Sequence, residues 1–217
     1  MKYFFTVISY LFHPFIMPLL GLFILFESPT LPNSYNLYDA LFFYPDEAKS
    51  VIYIVLGILT FVAPAFSLMI MYWNKMVNSL ELEERKDRMY PFVLVTLYYV
   101  LAYFYLKVQL PEFLQHPALM SFVFGIILTF VISFIINLFT KLSMHAAGIF
   151  GVCGTILAYH QTQIESNLML LLYLFCIAGL VAASRVYLKA HTLKEAIIGM
   201  AVGFGVLFVS VKFEIFI

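Results

Sequence analysis

The 217-residue chain is 64% hydrophobic and only 11% charged, with a formal net charge of zero and a mean hydropathy of +0.98. An average soluble domain carries about 25% charged residues, so a soluble fold with one large core is excluded. The balanced charge, with no basic tract outside the apolar runs, excludes nucleic acid as a partner.

The first apolar run, 4–26, holds His13, Pro14 and Pro18. It is longer than a signal-peptide core and lacks a small-residue cleavage site, so it reads as a retained first span. The interval 27–50 follows, rich in proline and acidic residues, with an aromatic middle at 38–44 suited to the interface. Further apolar runs lie at 51–73, 92–106, 119–139, 168–183 and 196–211, each near the roughly 20 residues that cross a hydrocarbon core as helix. A short run, 146–159, contains Gly148, Gly151 and Gly154 and is expected as a span packed closely on its neighbours. Continuous apolar runs favour helices over a barrel, whose strands alternate. The expected fold is all-α: a polytopic transmembrane bundle of about seven spans, or six if the short segment is re-entrant. Residues 1–50 form a first span and loop, and 51–217 form the core. Cys153 and Cys176 both fall in apolar runs and read as small buried hydrophobes.

Seven crossings bring the intervals 74–89, 140–145 and 184–195 to one side with the amino terminus. That side carries Lys2, Lys75, Arg85, Lys86, Arg88, Lys141, Arg185, Lys189 and Lys194, against Lys49, Lys107 and Lys212 opposite. The bias favours the cytoplasm, although cations that bind an anionic substrate would distort that count.

Three pieces on this side carry chemistry. In SRVYLKAHTLKE, a helix around His191 would place Glu195 one turn further on the same face. The carboxylate would fix the imidazole tautomer and leave the other nitrogen free to attack phosphorus. Arg185 offers a rigid fork of donors for phosphoryl oxygens. A helix end at headgroup level, with snorkelling cations, fits these residues equally well. The second piece joins Ser143, a helix cap able to offer its hydroxyl to phosphate, to His145, a candidate proton donor. A histidine bonded to backbone at a helix start is the plainer alternative. The third piece is the charge run holding Arg85, Lys86 and Arg88, in which two arginines three apart can share one anion, or in which the charges are simply solvated.

These pieces resemble motifs of the type 2 phosphatidic acid phosphatase superfamily, integral membrane lipid phosphatases related to vanadium haloperoxidases. Ser184, Arg185 and His191 match its third motif, with Glu195 in place of aspartate. Ser143 and His145 are what survives of its second motif, with Met144 in place of glycine; its first motif would align on Pro91, where Glu83 and Tyr90 replace lysine and arginine. The resemblance covers roughly residues 50 to 212. It implies that His191 is the nucleophile forming a phosphohistidine, that His145 protonates the leaving oxygen, and that Ser143 and Arg185 bind phosphate. Arg85, Lys86 or Arg88 would substitute for the missing cations. It implies no metal and no other cofactor.

The expected partner is a membrane lipid with a phosphate headgroup, with no soluble protein partner, in a bacterial inner membrane. The alternative function is a catalytically weakened relative that binds or moves anionic lipid. An intramembrane prenyl transferase is disfavoured because Asp39, Asp46 and Asp87 do not form the paired acidic loops that hold magnesium and diphosphate. A transporter or channel would place ionisable residues deeper in the spans.

Overall fold

The computed structural model describes residues 1–79 and 86–216, with Lys86 described by its backbone only. The elements are α1 (Lys2–Leu11), α2 (Met17–Glu27), α3 (Asp46–Leu56), a π-helical segment (Gly57–Val62), α4 (Ala63–Trp73), α5 (Met89–Gln109), α6 (Pro117–Asn137), α7 (Met144–His160), α8 (Leu168–Tyr187) and α9 (Leu193–Lys212). A two-stranded antiparallel pair, β1 (Leu31–Pro32) and β2 (Gln163–Glu165), ties two loops together at one end.

Among the described residues, five helices are long and apolar enough to cross a bilayer: Asp46–Trp73, Met89–Gln109, Pro117–Asn137, Leu168–Tyr187 and Leu193–Lys212. Their outer faces carry exposed Phe66, Leu97, Leu101, Leu172 and Val209. Apolar side chains arrayed over so much surface need lipid, not water, around them. The chain is therefore an all-α helical bundle with the surface of an integral membrane protein.

The first apolar run departs from the reading of a single span. It breaks into α1 and α2, joined by a turn at residues 12–16. Pro14 lacks an amide hydrogen and crowds the residue before it out of helical conformation, so the helix stops short of His13. Pro18, in the first turn of α2, suits a helix start. The 10- and 11-residue pieces are each only about 15 Å long, half a hydrocarbon core.

The short run becomes the centre of the bundle. Helix α7 has 17 residues, and its buried set includes Ala147, Gly151, Cys153, Gly154 and Ala158. It packs on α2, α8 and above all α9. A Cβ on Gly203 would lie 1.9 Å from the Ala147 carbonyl oxygen, one on Gly199 2.4 Å from that of Ser143, and one on Gly154 2.5 Å from that of Phe204. The two backbones touch because these positions have no side chain, the small-residue contact that substitutes for hydrophobic driving force in lipid. Of the cysteines, Cys153 is buried as read, but Cys176 is exposed, turned outward on α8. In the aromatic segment near residue 40, Ala40, Leu41 and Tyr44 are buried, and the Leu41 amide donates to the Tyr159 hydroxyl at 2.9 Å.

Candidate functional site

The end of the bundle where α7 and α9 begin and α8 finishes gathers most of the chain's polar chemistry. After α8, Lys189 takes a left-handed backbone conformation (φ 57°), and the Arg185 carbonyl accepts hydrogen bonds from the amides of Ala190 (3.0 Å) and His191 (3.2 Å). This tight reversal folds His191 back to the level of Arg185.

His191 lies just before α9, not within it, which corrects the expected helical spacing to Glu195. Thr192 is the N-cap. Its hydroxyl accepts from the Glu195 amide at 3.3 Å, while Glu195 Oε2 accepts from the Thr192 amide at 3.2 Å, a complete capping box. The same Oε2 lies 2.9 Å from His191 Nδ1. Glutamate has the length to reach back over the first turn to both partners, which accounts for glutamate at this position. With Nδ1–H donating to the carboxylate, the lone pair of Nε2 is left for other chemistry.

Ser143 caps α7, its Oγ accepting from the Ala146 amide at 3.4 Å, and its own amide donates to the Glu195 carbonyl at 3.1 Å. Ser143 is fully buried. That bond stitches the start of α7 to the start of α9 and brings His191 within electrostatic range of His145. The His13 ring meets the His145 ring edge to face, centroids 5.4 Å apart, and His13 Nδ1 accepts from the Phe15 amide at 3.3 Å.

Two guanidinium groups complete the cluster. Arg185 Nη1 donates to the Ser9 hydroxyl, and the His145 ring lies beside the Ser9 backbone. Arg88, buried in the turn before α5, is 3.5 Å from Asn137 Oδ1 at the end of α6 and within electrostatic range of both Glu195 and Arg185. Burial, reinforced by Arg185 and Arg88 and opposed by the Glu195 hydrogen bond, holds the His191 imidazole below its ordinary titration range. The site thus keeps the His191 imidazole neutral beside fixed cations, an arrangement that admits an anion and retains a nucleophilic nitrogen.

The residues singled out from sequence therefore divide. Arg88, Ser143, His145, Arg185, His191 and Glu195 come to one end of the bundle. Lys86 is placed by backbone alone, in the short turn preceding α5, and Arg85 lies outside the described residues. Ser9, His13 and Asn137 join the cluster without having been singled out. His13 had a signal, an ionisable residue beside a proline within an apolar run; Ser9 and Asn137 had none beyond polarity at a helix end. Among the described residues, no group of three or more His, Cys, Asp or Glu is arranged to hold a metal ion.

Comparison with models of known protein families, with curated proteins and with solved structures finds no match. The chemistry of the cluster is what remains to read.

Proposed function

We propose that the protein hydrolyses the phosphomonoester or diphosphate of a membrane lipid through a phosphohistidine on His191. The observation that carries this reading is the hydrogen bond from His191 Nδ1 to Glu195, 2.9 Å long, at the bundle end that also holds Arg185, Arg88 and His145. It supplies an oriented, neutral imidazole beside cations, the combination that a resemblance to type 2 phosphatidic acid phosphatases leads one to look for.

In the first step the His191 Nε2 lone pair attacks phosphorus in line with the ester oxygen. The phosphorus–nitrogen bond forms as the phosphorus–oxygen bond breaks, and the leaving alkoxide takes a proton from His145, which the bound phosphate anion beside it favours as imidazolium. In the second step His145, now neutral, takes a proton from water while the water oxygen attacks phosphorus. Inorganic phosphate leaves, and His191 recovers its lone pair. Arg185 and Arg88 hold the equatorial oxygens, whose charge shifts in the transition state. Glu195 compensates the positive charge that His191 acquires while phosphorylated.

This reading takes the bundle as seven crossings, with α1 and α2 sharing the first and α7 the fifth, and the site facing the cytoplasm of a bacterial inner membrane. The substrate approaches sideways, leaving its tail in the lipid.

A second reading, an anionic-lipid binder without turnover, is favoured by one feature. Met144 stands between Ser143 and His145, where a glycine would allow the closest backbone approach to phosphate. Phosphate release from phosphatidic acid, phosphatidylglycerophosphate and isoprenyl diphosphates, measured for wild type beside His191→Ala, separates the two. Hydrolysis predicts release by wild type and at least about a 1000-fold loss in the variant. No release from any substrate, with binding retained in both proteins, supports the binder.

A further inference from the structure

Helix α1 contributes two groups to this end of the molecule from one of its faces. Phe5 and Ser9, four residues apart, lie together on the side turned toward the bundle, while Tyr3, Phe4, Val7 and Tyr10 are exposed. Ser9 itself is 6% exposed. Its hydroxyl oxygen accepts from Arg185, and its backbone lies beside the His145 ring. In the proposed reaction, these two side chains serve phosphate: one binds its oxygens and the other protonates the oxygen that leaves.

Phe5 lies on the adjoining apolar surface. An open groove of about 540 Å³ runs between α8 and α9, lined by Gly179, Ala182, Ala183, Ala196 and Met200, with Phe5, the last α8 residues Val186 and Tyr187 and the first α9 residue Leu193 nearest the polar cluster. The Phe5 and Tyr187 rings pack with centroids 4.5 Å apart. Gly179 has nothing within 4 Å of its missing Cβ, so the groove is unfilled there. From Val186 to Gly179 it extends about 10 Å along α8, the depth of a partial alkyl chain starting beside Arg185.

We infer that α1 is a lid that occupies the site as an amphiphile would, Ser9 taking the place of phosphate oxygens and Phe5 covering the mouth of the tail groove, and that a phosphate-bearing lipid displaces both. The inference rests on the anion-site reading above. The occupant it names is a lipid with an anionic phosphate head and an alkyl tail, because the groove ends at Val186 and Tyr187, next in the chain to Arg185, whose guanidinium Ser9 now engages.

The test uses the full chain in phosphatidylcholine vesicles, with Ser9→Cys in a Cys176→Ser background to remove the exposed thiol. The rate of maleimide labelling is compared with phosphatidic acid or with diacylglycerol added. The lid predicts labelling about tenfold faster with phosphatidic acid and unchanged with diacylglycerol, since only the former competes for Arg185. Equal rates overturn it. A second variant, Ser9→Ala, predicts a KM for phosphatidic acid lower by about tenfold, the value of one hydrogen bond to a charged group, with kcat kept or raised. A fall in kcat/KM instead makes Ser9 a positioning residue for Arg185 and overturns the lid. If wild type releases no phosphate, the hydrolytic reading fails while the labelling comparison still decides the lid.

Discussion

The Ser143 amide donates to the Glu195 carbonyl at 3.1 Å, so the first residue before α7 is fastened to the first turn of α9. Everything proposed for the site follows from this contact and the glycines beneath it, because it places His145 and His191 on facing helix starts. Gly203→Ala drives a methyl group into the Ala147 carbonyl and is expected to cost about 3 kcal/mol or more, since neither backbone can yield alone. Thermal unfolding in detergent reads this. Gly205→Ala, with nothing within 4 Å, serves as the tolerated control.

Glu195 closes the capping box and holds His191 with one oxygen, and the two roles separate by substitution. Thr192→Ala removes the cap and is expected to lower stability by about 1 kcal/mol, leaving most of kcat. Glu195→Gln keeps an acceptor for the Thr192 amide but loses the negative charge. It is expected to unfold near the wild-type temperature while kcat falls about 100-fold, an effect of losing imidazole orientation and charge compensation. Equal losses of stability and rate in both variants would show a purely structural role for Glu195.

The pH dependence has a defined sign. His191 titrates below the ordinary value of 6.5, because burial and the neighbouring guanidinium charge disfavour imidazolium. Neutral His191 therefore persists below pH 6.5, and the acid limb of kcat/KM is expected below that value. Arg88 lowers the His191 pKa and Glu195 raises it. Arg88→Gln should thus move the acid limb toward neutrality, and Glu195→Gln should move it further down. Stability follows the same linkage: below pH 6.5 the unfolded chain binds more protons than the folded one. The contribution of His191 is complete above the unfolded pKa and is lost progressively as pH falls toward the folded value.

Arg185→Lys retains the charge but not the planar fork. Its expected effect is a KM for lipid phosphate raised about tenfold or more, with a smaller change in kcat, read from initial rates.

Much of the bundle was legible in the sequence because a membrane span is a local property: about 20 apolar residues specify it without reference to neighbours. The runs at 51–73, 92–106, 119–139, 168–183 and 196–211 each became a long helix. The first run misled for an equally local reason. Its apolarity outweighed Pro14 in the reading, whereas in the structure the ring chemistry of one proline splits the run and turns His13 inward. At the site, Ser143 as a cap was legible from its position before an apolar run. The Glu195 pairing was legible as a pair but not as geometry, since a capping box brings together residues that helical periodicity would have joined differently. Ser9 and Asn137 were not legible at all. Each acquires meaning only from a guanidinium delivered by a distant helix end or turn, a contact that no spacing within either segment encodes.

The most direct measurement is rapid acid or alkaline quench of the protein with phosphatidic acid, followed by mass spectrometry of the peptide containing His191. The account predicts a phosphoryl group on His191, labile to acid and stable to base, which once formed decays more slowly in a His145→Ala variant and is absent from His191→Ala. Phosphate release from wild type with no adduct on His191 in either background, or an adduct on another residue, would contradict it.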